Sequence, residues 1–126
     1  IKYTIDGTEH TISWDEAVEK QYIIVDQFIY GGRNFSIHPG TENNPLKRAA
    51  KIEFVSPKEV NGIGSNGFSG CNDLEEIIIP DTIQKISTGA LREFENLRRI
   101  TLPGGIIFEG DRTFASTKME VTVFNV

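Results

Sequence analysis

The sequence predicts an α+β fold in which a short solenoid of parallel strands, residues 51–126, follows an N-terminal cap, residues 1–50, of a β-hairpin, a short helix and a second hairpin. Three observations predict it. Pro57, Pro80 and Pro103 recur every 23 residues through the second part of the chain. Isoleucine, with 17 copies against 5 of leucine, weights the aliphatic content towards β-branched side chains that suit pleated strands. Ahead of the repeat, Asp6-Gly7 and the Ser13 to Glu16 spacing mark a hairpin turn and a helix start.

Taken in order, Ile1, Tyr3 and Ile5 alternate with polar residues up to Asp6-Gly7, and Thr8, His10 and Ile12 resume the alternation. Asp-Gly suits a type I′ turn, in which both central residues have positive φ, so a β-hairpin is expected. Ser13-Trp14-Asp15-Glu16 has capping-box spacing and opens a short helix to about Lys20. Tyr22 to Tyr30 reads as a strand, Gly31 to Asn34 as a turn and Phe35 to His38 as a returning strand. Thr41 to Pro45 is a polar loop, and Leu46 to Lys51 adds a helical turn. This region is expected to cover the first coil, because an open solenoid end leaves an apolar column in water; a separate N-terminal module is the alternative.

From residue 51 the chain repeats. The 23-residue shift relates Phe54, Ile77 and Ile100; Val60, Ile83 and Ile106; Gly64, Ser87 and Gly110; and Phe68, Leu91 and Phe114. Ile63 matches Ile86, Cys71 matches Phe94, and Leu74 matches Leu97. Each unit is a strand stopped by a proline, which lacks the N–H needed to extend a ladder, followed by a return path carrying apolar residues. A single unit has no second surface to cover its own apolar side, so the units stack. The third unit departs from the pattern, with Glu109 in the column of Ile63 and Ile86 and Thr117 in that of Cys71 and Phe94. One residue is also missing before Met119, and Val121, Val123 and Phe124 are expected in a final strand.

The run Ile79-Pro80, Ile83, Ile86, Ala90-Leu91, Phe94, Leu97 resembles the BspA-like leucine-rich repeat of bacterial surface proteins. The preceding unit matches it more closely, through Pro57, Val60, Ile63-Gly64, Gly67-Phe68, Cys71 and Leu74. The resemblance covers about residues 51–126 and implies a right-handed leucine-rich-repeat solenoid, displayed outside the cell or at its surface, that binds partners without catalysis. It points to the outward face of the repeat strands, where the 23-residue shift sets Glu53, Glu76 and Arg99 in one row and Val55, Ile78 and Thr101 in the next. These six are the candidate partner-binding residues, for a protein or glycan on a host or neighbouring cell. A structural spacer, or a unit that forms a homo-oligomer through the strand Glu120 to Val126, is the alternative.

Other motifs have plainer explanations. Gly62-Ile63-Gly64-Ser65-Asn66-Gly67 has dinucleotide-binding spacing, but only nine residues separate Gly67 from Ile77, too few for the helix that such a site requires. Cys71 with His10 or His38 has no surrounding nucleophile signature, and its repeat partner is a phenylalanine, so a buried hydrophobe is expected. The acids Asp73, Glu75, Glu76, Glu93 and Glu95 are interleaved with Lys85, Arg92, Arg98 and Arg99, as on a solvated surface of mixed sign. Trp14 is expected to anchor the cap, and Asn34-Phe35-Ser36 fits an N-glycosylation pattern. No catalytic residue, cofactor or metal site is assigned.

Composition is compatible with one domain: 126 residues, 38% hydrophobic and 25% charged. The net charge of -5 divides into -2 over residues 1–50 and -3 over the remainder, with no basic stripe for a phosphate backbone, so nucleic acid is not an expected partner. Apolar runs such as Tyr22 to Val25 fall far short of the ~20 residues of a spanning helix, and no membrane insertion is expected. The start at Ile1, with no charged-then-apolar leader, reads as a processed or truncated product. One cysteine forms no internal disulfide and leaves the compartment open.

Overall fold

The computed structural model describes residues 1–27, 32–38, 43–55, 60–65, 67–68, 70–87, 90, 94–108 and 122–125. Strands β1 (Lys2–Ile5) and β2 (Thr8–Thr11) form the first hairpin, paired antiparallel from Lys2 opposite Thr11 to Ile5 opposite Thr8. Asp6 (φ 51°) and Gly7 (φ 78°) both take the positive φ that the type I′ turn requires. Helix α1 (Trp14–Glu19) begins where Ser13 Oγ accepts a hydrogen bond from the Glu16 amide at 3.1 Å. The Glu16 carboxylate pairs with Lys20 at 2.9 Å, one turn along.

The second hairpin joins β3 (Ile23–Gln27) to β4 (Arg33–Ile37). Here the sequence expectation needs correcting: Arg33 and Asn34 belong to the strand rather than the turn, in register with Gln27 and Asp26. Inward Phe35 and Ile37 extend the alternation back to Arg33, and the Asn61 side chain holds the Arg33 amide. Residues 28–31, within the expected strand and turn, lie outside the described residues. The helical turn expected from Leu46 is a 3-10 turn, Pro45–Arg48, capped by Asn44, while Lys51 already belongs to the next strand. Buried Asn44 ties this corner together: its amide nitrogen donates to the carbonyls of Tyr22 (2.9 Å) and His38 (3.4 Å), and its oxygen accepts from the Leu46 amide (3.0 Å).

The repeat contributes one longer and one shorter strand per unit: β5 (Lys51–Glu53), β6 (Gly62–Ile63), β7 (Glu76–Ile78), β8 (Lys85–Ile86), β9 (Arg99–Leu102), β10 (Ile107–Phe108) and β11 (Thr122–Asn125). They enter two mixed sheets, neither closed into a barrel. Sheet A has the order β11-β9-β7-β5-β1-β2 and sheet B the order β10-β8-β6-β4-β3. The pairs β5·β7, β7·β9, β9·β11, β6·β8 and β8·β10 are parallel. The join to the N-terminal part is antiparallel in sheet A, through β1·β5, and parallel in sheet B, through β4·β6.

Three corners repeat one hydrogen-bond device. The Ala50 carbonyl accepts from Glu75 N (2.7 Å) and Glu76 N (3.1 Å), and the Glu75 carbonyl accepts from Arg98 N (2.9 Å) and Arg99 N (3.1 Å). On the other side the Asn61 carbonyl accepts from Gln84 N (2.8 Å) and Lys85 N (3.3 Å). A carbonyl with two lone pairs can serve two donors, which keeps the turn polar groups satisfied as units stack.

Two register expectations are corrected. Ile77 faces Ile52, not Phe54, because β5 pairs with β7 at a shift of 25 residues. The Phe54 amide donates to the Ile78 carbonyl (3.1 Å) as the Ile79 amide donates to that of Thr101 (2.9 Å), so Phe54 is the counterpart of Ile79. The two extra residues fall between Phe54 and Val60, and Pro57, which suggested the uniform spacing, lies outside the described residues. In the third unit the residue in register with Ile86 is Phe108, not Glu109, so an apolar side chain does follow Ile63 and Ile86 along that row. Leu91, Glu109, Gly110, Phe114, Thr117, Met119 and Val121 also lie outside the described residues.

The inward rows of both sheets converge on one core that includes Ile52, Ile77 and Ile100 of sheet A and Phe35, Ile63 and Ile86 of sheet B, all fully buried. Cys71, Phe68 and Phe94 lie in the same core, and Phe68 meets the rings of Phe35, Phe54 and Phe94 at 6.4, 5.9 and 6.1 Å. Among the described residues no helix is long and apolar enough to cross a membrane.

Candidate functional site

The outward face of sheet A is set by strand alternation. In β5 and β7 the middle residue is buried and its neighbours are half-buried, so Lys51 and Glu53, then Glu76 and Ile78, face away from the core. In β9, exposed Arg99 and half-buried Thr101 take the same positions around buried Ile100. Register then builds two rows, Lys51–Glu76–Arg99 and Glu53–Ile78–Thr101, extended onto the first hairpin by Thr4 and Lys2.

The structure therefore brings together five of the six candidate residues, in a different order. Glu53 moves into the row of Ile78 and Thr101, Lys51 takes its place beside Glu76, and Val55 falls beyond the strand. Val55 is 48% exposed, and its carbonyl accepts a hydrogen bond from Trp14 Nε1 at 3.2 Å. Lys51 was missed in the sequence because an uninterrupted 23-residue shift pairs it with Leu74. The doubled corner at Ala50, or the buried Ile52 between two charged residues, is the signal that identifies it.

Charge on this face is shared along the first row. Glu76 lies 3.8 Å from Lys51 and 3.9 Å from Arg99, and at its margin Arg98 meets Glu75 at 2.6 Å. Such exposed pairs contribute little to stability, about 0–1 kcal/mol each. Their effect here is to present alternating charge next to the aliphatic Ile78, a surface that is neither strongly acidic nor strongly basic.

The residues that suggested other chemistry are occupied structurally. Gly62-Ile63 is strand β6. Gly67 closes a turn in which its amide donates to Gly64 O (2.9 Å) and its carbonyl accepts from Ile37 N (2.7 Å), and a Cβ there would collide with Ile63 Cγ2. Cys71 is buried, and desolvation, offset slightly by Lys47, pushes its thiol up to about 12. His10 stacks on Tyr3 with ring centroids 5.2 Å apart. Asn34 sits within β4, between two paired strands, and its Oδ1 is buried, a poor posture for a glycan acceptor. Among the described residues no three His, Cys, Asp or Glu side chains gather as metal ligands. Trp14 anchors the helix as expected: its ring meets Phe35 edge-on at 5.3 Å and Phe54 at 5.7 Å.

Comparison with known proteins agrees with this geometry. A family model described as a BspA type leucine-rich-repeat region of six copies matches residues 46–125. The chain belongs to the BspA-type leucine-rich-repeat family. No curated protein and no solved structure matches it significantly. The matched segment begins at the buried Leu46 of the 3-10 turn and runs to the last residue of β11, so it contains every parallel repeat strand described above. Leucine-rich repeats generally serve as protein-interaction modules and the BspA-type family is typically extracellular or surface-associated, so a protein-interaction module is the class-level role that the family suggests.

Proposed function

We propose that this BspA-type repeat chain is an adhesion module of a secreted or surface-displayed bacterial protein and binds a protein or glycan through the outward face of sheet A. The supporting observation is the register that aligns Lys51–Glu76–Arg99 beside Glu53–Ile78–Thr101 on the solvent side of the sheet. Binding there is contact alone: Ile78 supplies an apolar centre and the flanking charges supply orientation. In this reading the repeat strands form a short right-handed solenoid, and residues 1–50 are its cap. The antiparallel pairing of β1 with β5, and the approach of Trp14 to Phe54, support that cap role.

A purified-protein and glycan array tests the proposal. Any ligand retained by the native chain is lost from an Ile78→Lys, Arg99→Glu chain and kept by a Lys85→Glu chain, whose change lies on sheet B. Equal loss from the sheet B variant, or equal retention by the sheet A variant, contradicts it. A second reading, self-association, is favoured by the edge position of β11 in sheet A. Solution mass measured over a concentration series decides it: a mass that never rises above the monomer removes it.

A further inference from the structure

Away from the sheet A face, the N-terminal part and the first repeat enclose a groove of about 540 Å³. That is within the ~300–1,000 Å³ of pockets that hold small ligands or anchoring side chains. One wall is α1, contributing Trp14, Asp15, Val18 and Glu19; facing it are Val25 of β3, Arg33 of β4 and Val60.

The wall that faces α1 is tied together. Arg33 N donates to Asn61 Oδ1 at 2.9 Å and Asn61 N donates to Arg33 O at 3.0 Å, a reciprocal latch between β4 and the repeat. Trp14 is fixed by its bond to Val55 O and by Phe35 and Phe54, so its ring is a pre-positioned platform. One turn on, Val18 leaves 42% of its surface in water.

The charges on the helical wall are complementary to a cation. Asp15 and Glu19 stand at i and i+4 on one side of a six-residue helix, where like charges weaken it. Glu16, beside them, is paired with Lys20, but among the described residues neither Asp15 nor Glu19 has an ion-pair partner. Arg33 lies on the opposite wall, and Val18, Val25 and Val60 add apolar lining between the two.

We propose that this groove docks a peptide segment of a partner protein that presents a lysine or arginine. The aliphatic stem lies along Trp14 and Val18, and the charged head reaches Asp15 and Glu19. This site is independent of the sheet A face and draws all but one of its lining residues from outside the matched family region.

Trp14 is the single tryptophan, so its emission reports on the groove alone. The test titrates the chain with an acetylated, amidated hexapeptide of alternating lysine and valine, and with the glutamate-valine and serine-valine equivalents. Only the lysine peptide is expected to give a saturable change, weakened when ionic strength rises from about 0.05 to about 0.3 M. Asp15→Asn with Glu19→Gln weakens it about tenfold, a loss of about 1.4 kcal/mol shared between two exposed ion pairs that each lie within their usual range. The paired substitution removes a like-charge repulsion and, at Asp15, a favourable charge in the first helical turn, so a melting temperature close to that of the native chain shows that the fold is intact. Arg99→Glu on sheet A leaves the response unchanged, which separates failure of this site from failure of the adhesion face. No response to the lysine peptide, an equal response to the glutamate peptide, or undiminished affinity in the paired variant overturns the proposal.

Discussion

Replacing Ile77 and Ile78 in turn tests the phase of the central repeat strand. Ile77 is fully buried between Ile52 and Ile100, whereas its neighbour Ile78 faces outward and is half-buried. Ile77→Ala removes three buried carbons, about 2.4 kcal/mol at ~0.8 kcal/mol per methylene, and leaves a cavity that stacked neighbours on both sides fill poorly. A total of about 3–4 kcal/mol follows, within the ~2–5 kcal/mol usual for isoleucine to alanine in a core. For a chain of this size that lowers Tm by roughly 10–15 °C. Ile78→Ala loses part of one side chain's burial and opens no cavity, so it costs under about 1 kcal/mol. The assay is thermal and urea unfolding followed by circular dichroism. Should Ile77→Ala leave too little folded protein to measure, Ile77→Val, at about 1 kcal/mol, carries the same comparison. A loss at Ile78 equal to or greater than that at Ile77 refutes the reasoning, because a strand of opposite phase exchanges the two faces.

Other outcomes follow from single contacts. Gly67→Ala drives a Cβ against the branched methyl of Ile63, and urea unfolding is expected to show a loss of about 1–3 kcal/mol, the usual range for overpacking. Ser13→Ala removes the cap on the Glu16 amide and lowers stability by about 1 kcal/mol in the same assay. Burial raises the folded-state thiol pKa of Cys71 above its unfolded value, so the folded chain holds that proton more tightly. Its stabilising contribution is complete below the unfolded thiol pKa of ~8.5 and is lost as pH climbs towards 12. At pH 8, disulfide-reagent labelling of Cys71 therefore proceeds only with opening of the fold; labelling as fast as that of a free thiol contradicts the burial.

Local chemistry carried much of the fold into the sequence. Asp6-Gly7 and Ser13 to Glu16 act through atoms a few residues apart, so their turn and cap appear where they were expected. The columns Ile77–Ile100 and Ile63–Ile86 were legible because one uniform shift relates them. Register failed where the loop length changes. The two extra residues after Phe54 displace β5, and a shift of 22 rather than 23 seats Phe108 opposite Ile86. Hydrogen bonds across the corner decide those alignments, and sequence spacing does not record them. The groove beside α1 was not foreseen, since Val25, Arg33 and Val60 come to it from three separate places in the chain. Val18 one turn after Trp14, flanked by two acids at i and i+4, is the trace that it leaves in the sequence.

The stacking of one repeat on the next is tested most directly by through-hydrogen-bond scalar couplings between backbone amide nitrogens and carbonyl carbons in a doubly labelled sample. The structure predicts couplings from Glu75 N to Ala50 C′, from Arg98 N to Glu75 C′ and from Gln84 N to Asn61 C′. Couplings that pair these segments antiparallel, or that place Glu53 directly opposite Glu76, contradict it.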